Sequence, residues 1–105
     1  MIDVKKMMEH AQKVQFKLQE LQEKLKEIDV QGQDEDGLVK ITMNCAGVVK
    51  SLEISPSIMK PDNKETLQDL IIIAVNSATE AKDKKVQEET KEIMTPLALP
   101  KDTKF

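Results

Sequence analysis

Lys6, Lys13, Lys17 and Lys24, with His10 among them, recur along the N-terminal stretch VKKMMEHAQKVQFKLQELQEKLKEI, residues 4–28. Wound as a helix, they fall at c and g heptad positions and form one flank, interrupted by Glu20. An ammonium group on a flexible stem is a point charge suited to phosphate oxygens, so this flank offers cations to a polyanion. Gln12, Gln15, Gln19 and Gln22 form the opposite flank at b and e, with neutral hydrogen-bonding groups, and Phe16 sits at f. The same arrangement is also that of a solvated coiled-coil face, on which Lys, Glu and Gln are ordinary.

Catalytic chemistry is hard to assemble from the remaining residues. His10 is the sole histidine and lies on an exposed flank without a triad partner placed by the sequence. The single cysteine, Cys45, has no internal disulfide partner and falls in a turn, where a small turn residue is the plain reading. Asp34-Glu35-Asp36-Gly37 lacks the ligand spacing of an EF-hand and reads as a solvated turn. Zinc spacings, phosphate-binding glycine loops and dinucleotide fingerprints are missing from the sequence. No catalytic residue, metal site or cofactor is assigned, and an enzyme is not expected.

The elements that position the lysines follow from periodicity. Val4, Met7, Ala11, Val14, Leu18, Leu21, Leu25 and Ile28 are spaced 3-4-3-4-3-4-3, a heptad seam free of Gly and Pro. A helix over this stretch is roughly 37 Å long at about 1.5 Å per residue. Such a rod cannot hide its seam inside a chain of 105 residues. Part of it must project or meet a partner, which points to an oligomer, and a domain of this size gains useful core by dimerising.

After Ile28 the period changes. Asp29–Gln33 is a short candidate strand. Leu38–Asn44 alternates, with Val39, Ile41 and Met43 on one face and Lys40, Thr42 and Asn44 on the other. Cys45-Ala46-Gly47 turns, and Val48–Ile54 returns with broken alternation that predicts a bulge near Val49. Pro61-Asp62 opens the next helix, with Asp62 and Glu65 set as a capping box and Asn63 as an alternative cap. Leu67, Leu70, Ile71, Ala74, Ala78 and Ala81 give that helix a face, and Ile72, Ile73 and Val75 make it apolar almost all round from Leu70 to Val75. So much apolar surface fits a helix lying between its own sheet and a second body, so Leu70, Ile71, Ile72, Ile73 and Val75 are the candidate dimer interface. From Lys82 onward the helix is highly charged, with Glu80/Lys84, Lys84/Glu88 and Lys85/Glu89 at i,i+4. Residues 1–95 read as one domain, and 96–105, after Pro96, as a flexible tail.

Composition narrows the partners. All 16 basic residues are lysine, against 19 acidic ones, for a net charge of −3. Polyanion binding must therefore come from a local stripe. Without Arg, the commonest guanine reader, contact leans toward the backbone with low sequence specificity. Two Phe and no Trp or Tyr leave little for single-strand stacking. No apolar run approaches a membrane span and no signal-peptide block opens the chain, so the cytoplasm is expected.

Three segments carry a resemblance: MMEHAQKVQFKLQELQEKL; then GLVKITMN, a Gly turn and SLEISPSIM; then LQDLIIIAVNSATEAKDK. Their order and spacing over nearly the whole chain resemble the YbaB/EbfC family of bacterial nucleoid-associated proteins, as does the LALP tail with a terminal Phe. The resemblance implies an α+β fold with a long N-terminal helix, a small three-stranded antiparallel sheet and a C-terminal helix. It implies a tweezer-like homodimer that binds double-stranded DNA in the bacterial nucleoid. It further implies DNA contacts at Lys5, Lys6, Lys13, Lys17 and Lys24 of the first helix and at Lys82, Lys84, Lys85 and Lys91 of the last. Cys45 stands where the family has a glycine-like turn position, and a positive φ there would strain it. The competing class is a prefoldin-like chaperone or scaffold with coiled-coil arms, against which stands the absence of a full-length heptad seam in the final helix.

Overall fold

A computed structural model describes residues 3–94 of the chain. It contains α1 (Val4–Lys26), β1 (Asp29–Gln33), β2 (Val39–Asn44), β3 (Val49–Ile54), 3-10 turns at Pro56–Ile58 and Pro61–Asn63, and α2 (Lys64–Met94). This is the expected α+β order of helix, three-stranded antiparallel sheet and helix, with strand order β1-β2-β3. The expected tail, 96–105, and its prolines lie outside the described residues.

α1 starts where Asp3 accepts a hydrogen bond from the Lys6 N–H at 3.2 Å. Its far end is closed by the next hairpin. The Cys45 N–H reaches the carbonyls of Leu25 at 3.1 Å and Ile28 at 2.9 Å, satisfying groups that a helix end leaves orphaned. Ile28, the last seam residue, lies beyond the helix. From Val4 to Glu20 no α1 residue is buried, whereas Leu21 and Leu25 are. The N-terminal part of the seam therefore projects, giving a shape of 72 × 26 × 16 Å.

The β2–β3 pairing runs from Val39 opposite Ile54 to Met43 opposite Val49, with Lys50 as the extra residue of the bulge expected there. Val39, Ile41 and Met43 point inward and are buried with Ile58, Ala74 and Ala78. A smaller cluster holds Leu21, Leu25 and Cys45, packed by Ile28, Val30, Val86 and Ile93. α2 lies on β1 and β2, and Gly32 is what lets it approach. A Cβ there would sit 2.5 Å from the Ala78 Cα and 2.6 Å from the Ala74 carbonyl oxygen, closer than real contacts allow.

Three local expectations are corrected. Asp34 is not a solvated turn residue: it is buried, and its carboxylate accepts from the N–H groups of Val39 at 2.7 Å and Asp36 at 3.0 Å. These bonds, the one from Val39 first, hold its carboxyl below the ordinary range despite burial. Cys45 carries no positive φ. That conformation falls on Gly47 (φ 87°), and Cys45 is instead a core residue under α1. The Asn44 side chain organises this turn by accepting from the Ala46 and Val48 N–H groups, both at 3.0 Å. Finally, α2 is entered through the 3-10 turn Pro61–Asn63, whose cap Lys60 makes no side-chain bond, and no Asp62 capping bond forms among the described residues.

Candidate nucleic-acid interface

The projecting part of α1 carries most of the candidate lysines. Lys5, Lys6 and Lys13 are exposed and make no ion pair among the described residues. Lys17 is exposed and pairs with Glu20 at 3.4 Å, both side chains about half in solvent, so water and salt compete easily for it. His10 is exposed on the same arm. Helical periodicity places Lys6, His10, Lys13 and Lys17 on one flank beside the apolar seam, and Lys5 on the other flank. Charge and seam therefore do not compete for the same face.

The C-terminal part of α1 is different. Lys24 reaches across to α2, where its Nζ lies 2.7 Å from Oε2 of the buried Glu89. Lys85 approaches the other oxygen of Glu89 at 3.6 Å. Contact with Lys24 holds the Glu89 carboxyl below its ordinary value against the opposing effect of burial, and raises Lys24 in turn. This cross-helix ion pair lies where Leu21 and Leu25 pack with Val86 and Ile93, and it ties α1 to α2 at the base of the projecting arm. Lys24 and Lys85 are thus brought together on an acid, whereas Lys5, Lys6, Lys13 and Lys17 face solvent on the arm.

The remaining α2 lysines sit on its charged half. Lys82 pairs with Asp83 at 3.0 Å and is largely covered, Lys84 is exposed, and Lys91 is exposed in the last turn. Of the expected i,i+4 pairs, Lys85–Glu89 forms among the described residues, while Lys84 pairs with neither Glu80 nor Glu88. The role of Glu89 was not legible in the sequence. Its i,i+4 relation to Lys85 was visible, but nothing local announces the partner on the other helix.

The apolar residues assigned to a dimer divide in two. Leu70, Ile71 and Val75 pack against the protomer's own core, while Ile72 and Ile73 remain 57% and 48% exposed. The sheet adds residues that the sequence reading passed over. Leu52 pairs with Ile41 and Val49 with Met43, so both point to the buried side of the sheet, yet they are 47% and 50% exposed. Among the described residues α2 lies over β1 and β2 and does not cover β3, leaving that edge of the core open.

Residues 1–97 match the YbaB/EbfC DNA-binding family. The chain is 35% identical over 100 residues to a nucleoid-associated protein of Beijerinckia indica, covering 95% of this chain and 99% of that one. It is 37% identical over 100 residues to a nucleoid-associated protein of Rhodospirillum rubrum, covering 95% and 94%. The fold is similar to that of the uncharacterized protein HP0035 from Helicobacter pylori, with a TM-score of 0.77 at 19% identity, over 90% of this chain and 99% of that one. No helix among the described residues is long and apolar enough to cross a membrane. From its matched length and its relatives, this chain belongs to the YbaB/EbfC DNA-binding family.

Proposed function

We propose that the protein is a nucleoid-associated, non-enzymatic homodimer that binds double-stranded DNA with low sequence specificity, chiefly through phosphate contacts. The observation that carries this reading is the projecting arm of α1, with Lys5, Lys6 and Lys13 exposed and unpaired among the described residues in a chain of net charge −3. Lysines without an ion-pair partner are available to phosphates, and lysine contacts a phosphate without reading the base beside it. The names of the family and of the relatives support DNA as the partner and the nucleoid as the place. Nothing in the geometry favours a prefoldin-like chaperone.

The second copy is supported by the uncovered inner side of β3. Leu52 and Val49 on that strand, with Ile72 and Ile73 on α2, expose apolar surface that a partner protomer would bury. Pairing at this edge would leave both arms projecting.

The test is the salt dependence of duplex binding. If both subunits engage Lys6, Lys13 and Lys17, roughly six phosphate contacts give a slope of log affinity against log salt near −5. Replacing Lys13 and Lys17 together by Gln removes about four contacts in the dimer and flattens the slope by about 3 to 4. An unchanged slope would mean the arm is only a solvated face, moving the search to Lys82, Lys84, Lys85 and Lys91.

A further inference from the structure

We infer that the pole of α1 opposite its seam reads A·T base pairs in the major groove, with Phe16 against the thymine methyl and Gln12 on the adenine edge. This rests on the DNA-binding reading above and adds to it a preference that phosphate contacts cannot supply. Phe16 is 59% exposed in the middle of the projecting arm. Among the described residues it packs into neither core cluster, so neither core explains an aromatic ring there. Gln12 lies one turn before it, at i−4, and both line one surface with Glu9, Lys13 and Lys17.

The chemistry of that surface selects its occupant. A protein groove would gain a single apolar side chain from it, surrounded by charge and amide. The floor of the DNA major groove has the matching pattern: an isolated thymine methyl among hydrogen-bonding base edges, bordered by phosphates. A helix about 10 to 12 Å across fits that groove, which is about 12 Å wide. Phe is among the side chains that contact the thymine methyl, and Gln is a bidentate partner for adenine N6 and N7. Lys13 and Lys17 flank the pair and would reach the bordering phosphates. Glu9 lies on the same surface but adds nothing to the A·T preference, since a carboxylate in the major groove accepts from cytosine N4 and would have to sit over a neighbouring pair.

The experiment compares two duplexes of one A·T sequence, the second with deoxyuridine in place of every thymidine, so that only the C5 methyl is removed. Binding is read by fluorescence anisotropy at fixed salt. The natural protein should bind the thymine duplex roughly fivefold more tightly. Phe16→Ala should bind both alike while keeping the natural salt slope, since its phosphate contacts are intact. Gln12→Ala should narrow the gap between A·T and G·C duplexes. Both residues are exposed, and circular dichroism checks that each variant stays folded. Equal binding of the two duplexes by the natural protein, or discrimination that survives in Phe16→Ala, overturns the inference and leaves phosphate-driven binding standing. Failure of the natural protein to bind any duplex overturns both.

Discussion

Gly32 on β1 and Ala78 on α2 meet backbone to backbone, with room for no side-chain atom at position 32. The contact works in both directions. Ala78 and Ala74 are fully buried small residues one turn apart, and they present a flat strip of helix to the strand. Together these three residues let α2 lie directly on β1 and β2.

Gly32→Ala is therefore expected to destabilise the protein by about 3 kcal/mol, at the upper end of overpacking costs, because the new atom meets backbone and not a movable side chain. Urea unfolding followed by circular dichroism checks this. A loss below about 0.5 kcal/mol would mean that α2 can slide away from the sheet at little cost.

Leu52→Glu tests the proposed dimer with little damage to the protomer, because Leu52 is already half exposed. Sedimentation should show dissociation to monomer with the helical signal retained, since an unpaired charge buried in an interface costs several kcal/mol. Ile73→Asp should act in the same direction. A stable dimer in both variants would place the contact elsewhere.

Cys45 is expected to be dispensable for DNA binding and important for stability. It packs with Leu21 and Leu25, so Cys45→Gly opens a small cavity and should cost about 1 to 2 kcal/mol, the opposite of relief in a strained turn. Burial also pushes the thiol pKa up, so Cys45 should react slowly with alkylating reagents until the protein unfolds. Rapid modification of the native protein would contradict its packing.

Stability should fall on the acid side. The carboxyls of Asp34 and Glu89 both have folded-state values below their ordinary ones, so the folded state binds fewer protons than the unfolded chain over that range. Their contribution is present above the unfolded values, about 4, and is lost as pH falls through the folded ones. The urea midpoint should hold from about pH 7 to 5 and drop below about pH 4, and Asp34→Asn should shrink that drop. An acid limb identical in Asp34→Asn would exclude Asp34 as a source of it.

Much of this architecture was legible along the chain. The 3-4 spacing from Val4 to Leu25 specified α1, and the alternation of Val39, Ile41 and Met43 specified which side of β2 is buried, because both patterns are periods of local backbone geometry. The broken alternation after Val48 placed the bulge for the same reason. The lysines of the α1 arm were visible as a flank before any fold was known, since a helix sorts its own surface.

What the sequence left open depends on segments distant in the chain. Asp34 and Cys45 sit in turns whose local sequence reads as exposed, and both are buried by what lies across from them. Leu52 belongs by alternation to the core side of the sheet, but α2 lies over β1 and β2 and leaves it uncovered. The division among the lysines was decided in the same way. Lys13 and Lys24 are alike on a helical wheel, but the tertiary fold sets buried Glu89 beside Lys24 and, among the described residues, no acid within ion-pair reach of Lys13. Helical periodicity is set by neighbours along the chain, whereas the charge a lysine faces is set by whichever element packs against it.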